Sequence, residues 1–162
     1  MSESRPTITG PLKIESPYPV LLKGLVSKGF GRGSKELGIA TANLPENIAA
    51  EASKHLETGI YYGWARVLSL DDQVYPMVMS YGWNPYYKNE KRSAEVHIMH
   101  EFKEDFYDIE LRVAVCGFIR NEKNYKGVDA LIEDIMFDIK VAHNSLDRES
   151  YVDVKRLSFL VD

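Results

Sequence analysis

Between Ile60 and Arg120 the apolar residues recur mostly at every second position, in runs broken by turn signals; after Gly127 they recur at three and four. This change of period limits the possible folds more than any other feature of the chain. Alternation marks strands with one face toward a core. The later spacing of Val128, Leu131, Ile132, Ile135, Ile139, Ala142 and Leu146 marks an amphipathic helix, expected over residues 127–148, whose apolar stripe must cover the sheet.

Strands are expected over residues 20–27, 60–68, 73–83, 94–102 and 108–120, with a short one at Thr41–Asn43 and a short helix over 46–55. Asp71-Asp72 marks a hairpin turn. Tyr75, Met77, Met79, Tyr81 and Trp83 share one face of their strand, and Pro76, lacking an N–H, implies an edge position or a bulge. In the last strand Ile109, Leu111, Val113, Val115 and Ile119 face one way, and Glu110, Arg112 and Arg120 the other. Antiparallel-looking strands followed by one helix predict a mostly-β fold, a small closed barrel of about six strands with helical cover. Residues 1–19, with Pro6, Pro11, Pro17 and Pro19, read as a surface lead-in, and residues 20–162 as a single domain ending in a polar tail. That tail carries a late apolar patch at Leu157, Phe159, Leu160 and Val161.

The 162 residues suffice for one domain with its own core, and a 44% apolar, 27% charged composition is that of a soluble globular protein. A net charge of −4 argues against nucleic-acid binding, which normally needs a basic footprint. No apolar run approaches a membrane span, and the polar start is no signal peptide. Cys116 is the only cysteine and sits in an apolar strand pattern, so it is expected to be an inert core thiol in a reducing, cytoplasmic setting.

The chemistry concentrates first in residues 29–35. Gly29, Gly31 and Gly33 let backbone N–H groups turn toward an anion, Arg32 and Lys35 add charge, and Ser34 adds a hydroxyl. Neither common nucleotide fingerprint fits: Ser34 separates Gly33 from Lys35 and takes the place of the last dinucleotide-site glycine. Thr41 and Asn43 follow, two neutral oxygen donors on one strand face, suited to Mg²⁺ arriving with a nucleotide. A glycine cluster alone usually means only turns. The joint occurrence of loop, cations and Thr-x-Asn favours a phosphate site.

Glu95 is the second focus. Alternation groups it with His97 and Met99, opposite Val96, Ile98 and His100. A carboxylate in so apolar a strand must be paired or face a site; the plainer expectation is a bridge to Arg66 or Arg112. His97 and His100 face opposite ways and read as packing or hydrogen-bonding residues. Arg120 and Glu122 read by default as a salt bridge.

Five segments in order carry a resemblance. They are Gly24-x-Val26 with Gly29 to Lys35 and Thr41-Ala-Asn43; Gly59-Ile-Tyr-Tyr-Gly-Trp64; Gly82-Trp-Asn-Pro-Tyr-Tyr-Lys88; Glu95-x-His-Ile-Met-His100; and Lys103-Glu-Asp-Phe-Tyr107. From about Val20 to Leu146 the chain resembles riboflavin kinase, most closely its single-function eukaryotic form. The resemblance implies a closed antiparallel Greek-key barrel with a C-terminal helix, and transfer of the ATP γ-phosphoryl group to the 5′-hydroxyl of riboflavin, giving FMN and ADP. By motif, Glu95 falls at the catalytic base. Gly29, Gly31, Arg32, Gly33, Ser34 and Lys35 would close over ATP, and Thr41 and Asn43 would hold the metal (Mg²⁺, Zn²⁺ or Mn²⁺) and the phosphates. Trp83, Asn84, Arg120 and Glu122 match a region near the flavin. Ala40 stands where the family commonly has Pro. A monomer is expected, with no nucleic-acid partner and no membrane insertion. The competing expectations are a non-catalytic flavin or nucleotide binder and a nucleic-acid-binding barrel using Tyr86, Tyr87, Lys88, Lys91 and Arg92. A bifunctional enzyme that also makes FAD would need a further domain for which the chain has no room.

Overall fold

The computed structural model describes residues 5–27, 40–70, 72–83, 91–100, 102, 106–123, 125 and 127–162. Six strands, β1 (Val20–Leu25), β2 (Ala40–Asn43), β3 (Gly59–Val67), β4 (Tyr75–Trp83), β5 (Arg92–Ile98) and β6 (Glu110–Arg120), form one sheet in the order β1-β6-β3-β4-β5-β2. Every pairing is antiparallel. β3, β4 and β5 run as a meander and β6 returns beside β3, which is the Greek-key order. The sheet curls until its outer strands meet: just beyond β1, Ser27 bridges to Asn43 of β2, its N–H donating to the Asn43 carbonyl at 2.9 Å.

The curl gives the sheet an inner and an outer core. Inside lie Val20, Leu22, Ala42, Tyr61, Met77, Met79, Tyr81, Val96, Ile98, Leu111, Val113 and Val115, closed off by α1 (Glu46–Ala52) through Ala49 and Ala52. Outside, Ile60, Tyr62, Trp64, Val78, Ala114 and Cys116 pack under α2 (Val128–Leu146), which buries Val141, Ala142 and Leu146. Burial alone pushes the Cys116 thiol up to about 12, so it is the inert core group its strand pattern implied.

Three local expectations change. β4 is an interior strand, not an edge. Pro76 is tolerated because its carbonyl accepts from Met99 N, beyond the last residue of β5; the N–H it lacks would point to that same side, past the β5 ladder. In β6, register shifts near Tyr61 and Tyr62 interrupt the alternation, so Ile119 joins the outer core instead of following Val115 inward. The polar tail contains α3 (Glu149–Val154) and α4 (Ser158–Val161). Arg66 and Arg112 donate to the carbonyls of Leu160 and Phe159 at 2.9 and 3.1 Å, satisfying helix-end acceptors. These two arginines are therefore spent on α4, not on Glu95.

Residues 5–19 are strapped over α2 and α3. Tyr62 donates to the Thr9 carbonyl at 2.7 Å, Tyr151 to that of Pro11 at 2.7 Å, and Arg148 to that of Gly10 at 2.8 Å. Gly10 has φ +83°, and a Cβ there would press on the Tyr62 and Tyr151 hydroxyls, so this crossing requires glycine.

Candidate active site

β5 carries two kinds of residue on its two faces. Ala94, Val96 and Ile98 point into the inner core and are at most 1% exposed, while Ser93, Glu95 and His97 point outward and are half-buried. β2 lies beside β5 in a register that sets Asn43 opposite Glu95 and Thr41 opposite His97. On the other flank, β4 sets Ser80 opposite Glu95 and Val78 opposite His97. The Asn43–Glu95–Ser80 row continues through Ile60 of β3 to Arg120 of β6. Directly opposed residues on one face have Cβ atoms about 4.5–5.5 Å apart, so Asn43 is the immediate neighbour of Glu95, while Thr41, opposite His97, lies on the diagonal, about 7–8 Å away.

His97 joins two of them. Its Nδ1 lies 3.3 Å from Thr41 Oγ1, and its Nε2 lies 3.6 Å from Glu95 Oε1. Burial holds the imidazole below its ordinary range, while Glu95 and the Asp138 carboxylate of α2 pull the other way. The net result is a ring neutral at pH 7. His100, on the inner side, stacks on Tyr75 with ring centroids 4.1 Å apart, so the two histidines do face opposite ways.

At the far end of the row Arg120 does not pair with Glu122 as the plain reading held. Its guanidinium makes a two-point contact with Asp138, Nε to Oδ1 at 3.0 Å and Nη2 to Oδ2 at 2.8 Å. Asp138 is 2% exposed and also accepts from Arg5 Nη2 at 2.7 Å, so two guanidiniums compensate one buried carboxylate. Glu122 instead lies over Gly82, occupying the space a Gly82 Cβ would need. Partial burial raises the Glu122 pKa, opposed by Arg120 and Arg92.

Trp83 leaves the opposite side of β4. It is 46% exposed, with the Arg92 guanidinium 4.5 Å above its ring, and lines a 570 Å³ groove with Glu46, Asn47, Ala50 and Ser53 of the α1 region. Asn84 and the loop residues Gly29, Gly31, Arg32, Gly33, Ser34 and Lys35 lie outside the described residues. Sequence reasoning overlooked Ser80 and Asp138. Asp138 had a signal, since it falls within the apolar stripe between Ile135 and Ala142; Ser80 had none, because only strand pairing sets it beside Glu95.

Thr41, Asn43 and Glu95 form a set of neutral oxygens beside one carboxylate. Among the described residues no group of three or more His, Cys, Asp or Glu could hold a metal by itself. Such a set fits a hard cation that brings most of its shell as water and phosphate oxygen, as Mg²⁺ does.

The flavokinase (riboflavin kinase) family model matches residues 16–146. Riboflavin kinase of Pyricularia oryzae is 47% identical over 94% of this chain and 84% of its own length. The Homo sapiens riboflavin kinase is 50% identical over 87% of this chain and 90% of its own. The crystal structure of riboflavin kinase from Trypanosoma brucei superposes with a TM-score of 0.71, covering 91% of this chain and 92% of that one; at 24% identity it supports the fold. With a family match across most of its length and relatives near half identity, the chain belongs to the riboflavin kinase family.

Proposed function

We propose that the chain carries out its family's reaction, ATP-dependent phosphorylation of riboflavin to FMN, in the polar corner where β2, β5 and β4 adjoin on the outer face. The observation that supports this reading is the β2–β5 register, which sets Asn43 opposite Glu95 and Thr41 diagonally across from it. Glu95 accepts the proton of the ribityl 5′-hydroxyl and aligns its oxygen with the γ-phosphorus; that oxygen forms the new P–O bond as ADP leaves. Ser80, on the other flank of Glu95, offers a hydroxyl to the same oxygen. Thr41 Oγ1 and the Asn43 side-chain carbonyl would hold Mg²⁺ or Mn²⁺, which when bound neutralises phosphate charge. The 29–35 loop supplies N–H groups and cations to the phosphates. Arg120, committed to Asp138, fixes the turn that carries Glu122, and these two lie on the flavin side. Trp83, on the other face, is not assigned to that site. The enzyme is read as an intracellular monomer, which gel filtration and fractionation would check.

Incubation with riboflavin and MgATP should give FMN and ADP in equal amounts, resolved by chromatography. A protein that binds both compounds but makes no FMN would be the non-catalytic binder instead.

A further inference from the structure

The mechanism leaves one group at the site without a task. The His97 imidazole spans the gap between Thr41 and Glu95, on adjacent strands, and its contacts favour one tautomer. An ionised carboxylate only accepts hydrogen bonds, so an unprotonated Nε2 facing Glu95 Oε1 at 3.6 Å would set two lone pairs against each other. The geometry therefore favours the tautomer with Nε2–H toward Glu95. In that tautomer Nδ1, 3.3 Å from Thr41 Oγ1, accepts from the threonine hydroxyl.

We propose that His97 is a positioning residue of the phosphoryl-transfer site, bonded to the Thr41 hydroxyl through Nδ1 and orienting one Glu95 oxygen electrostatically across the 3.6 Å gap from Nε2. The inference rests on the assignment of Thr41 and Asn43 to the metal and of Glu95 to proton transfer. Its consequence is concrete at both ends. A Thr41 hydroxyl whose proton is given to Nδ1 turns its lone pairs away from His97 and gains electron density, which suits coordination of a hard cation. A Glu95 carboxylate whose Oε1 is drawn toward Nε2 across 3.6 Å leaves its other oxygen for the substrate hydroxyl. The ring is held between flanking strands, with Val78 on the side opposite Thr41. Among the described residues, the charged groups that act on it are Glu95 on its own strand and Asp138 on α2, the latter already compensated by Arg5 and Arg120.

The two arms can be separated by amide side chains, because Asn places its polar atoms near the Nδ1 position and Gln near Nε2. For His97→Gln we expect kcat within about 3-fold of the parent and a KM for MgATP raised about 10-fold. For His97→Asn we expect the reverse, with kcat down about 10-fold and KM for MgATP little changed. His97→Leu should show both losses, within the roughly 10–100-fold span of groups that orient ligands from behind. Nitrogen NMR of the ring in the intact enzyme should show the neutral Nε2–H form. Parent-like kinetics in His97→Leu would overturn the proposal, as would equal losses in all three variants tracking a common fall in melting temperature, or an Nδ1–H ring. Glu95→Gln, measured alongside, separates the two readings. If it turns over normally, the site assignment fails and takes this inference with it; if it is inactive while His97→Leu is normal, the inference fails alone.

Discussion

The two faces of β4 and β5 meet opposite demands within one backbone ladder. Inward, Met77, Met79, Val96 and Ile98 are fully buried and make no polar contact that function requires. Outward, Ser80, Glu95 and His97 stay half-buried, with β2 flanking β5 on one side and β4 on the other. A carboxylate sealed under α2 would need the double compensation that Asp138 receives from Arg5 and Arg120. Glu95 avoids that need by remaining 23% exposed, which also leaves it reachable by substrate. On the proposed function the inner face carries stability and the outer corner chemistry, and perturbations of the two should separate cleanly.

The largest separation is expected from Glu95→Gln, which preserves shape and removes the proposed base. Turnover should fall by about 10²–10⁴, the usual worth of a positioned proton acceptor, with the melting temperature little changed. A variant that loses activity only in proportion to its unfolded fraction would break the contrast.

On the inner face, Ile98→Ala should cost about 2–5 kcal/mol of stability, the usual loss for truncating a large buried aliphatic side chain. Chemical denaturation measures this, and kcat per folded molecule should stay close to the parent's. Thr41→Ala and Asn43→Ala test the outer corner more gently. Each should weaken MgATP about 10-fold, roughly the 1.4 kcal/mol scale of one good polar contact, and shift the Mg²⁺ dependence to higher concentration. An unchanged Mg²⁺ titration would remove that residue from the metal.

The smallest effect concerns pH, and it draws on both cores. Burial pushes the Tyr61 hydroxyl and the Cys116 thiol up to about 12. Each therefore holds its proton in the folded state at pH values where the unfolded chain has released it. Their contribution is complete below the ordinary thiol and phenol ranges, near pH 8 to 9, and declines as pH rises toward about 12. Melting temperature followed across that window should fall steadily, and Tyr61→Phe combined with Cys116→Ala should flatten the slope.

How much of this was legible beforehand depends on the range of each signal. Strands and the long helix were readable because side-chain alternation and the three-to-four spacing are set by neighbours along the chain. The inner set Met77, Met79 and Tyr81 followed directly, as did the separation of Glu95 from Val96 and Ile98. Arg66 and Arg112 were misread as partners of Glu95, since nothing nearby in sequence discloses that α4 ends against them. Arg120 was likewise matched with Glu122, two residues away, when its partner is Asp138 on a helix formed later in the chain.

By itself, the sequence determined the periodicities, the inner core and the cast of reactive side chains, including the Thr41, Asn43 and Glu95 motifs that mark the family. Only the tertiary structure decided who meets whom: β2 beside β5, His97 between Thr41 and Glu95, and the interruption in β6 that turns Ile119 outward. The physical reason is that facing along a strand is local, whereas register between strands is settled by the pairing of segments far apart in the chain.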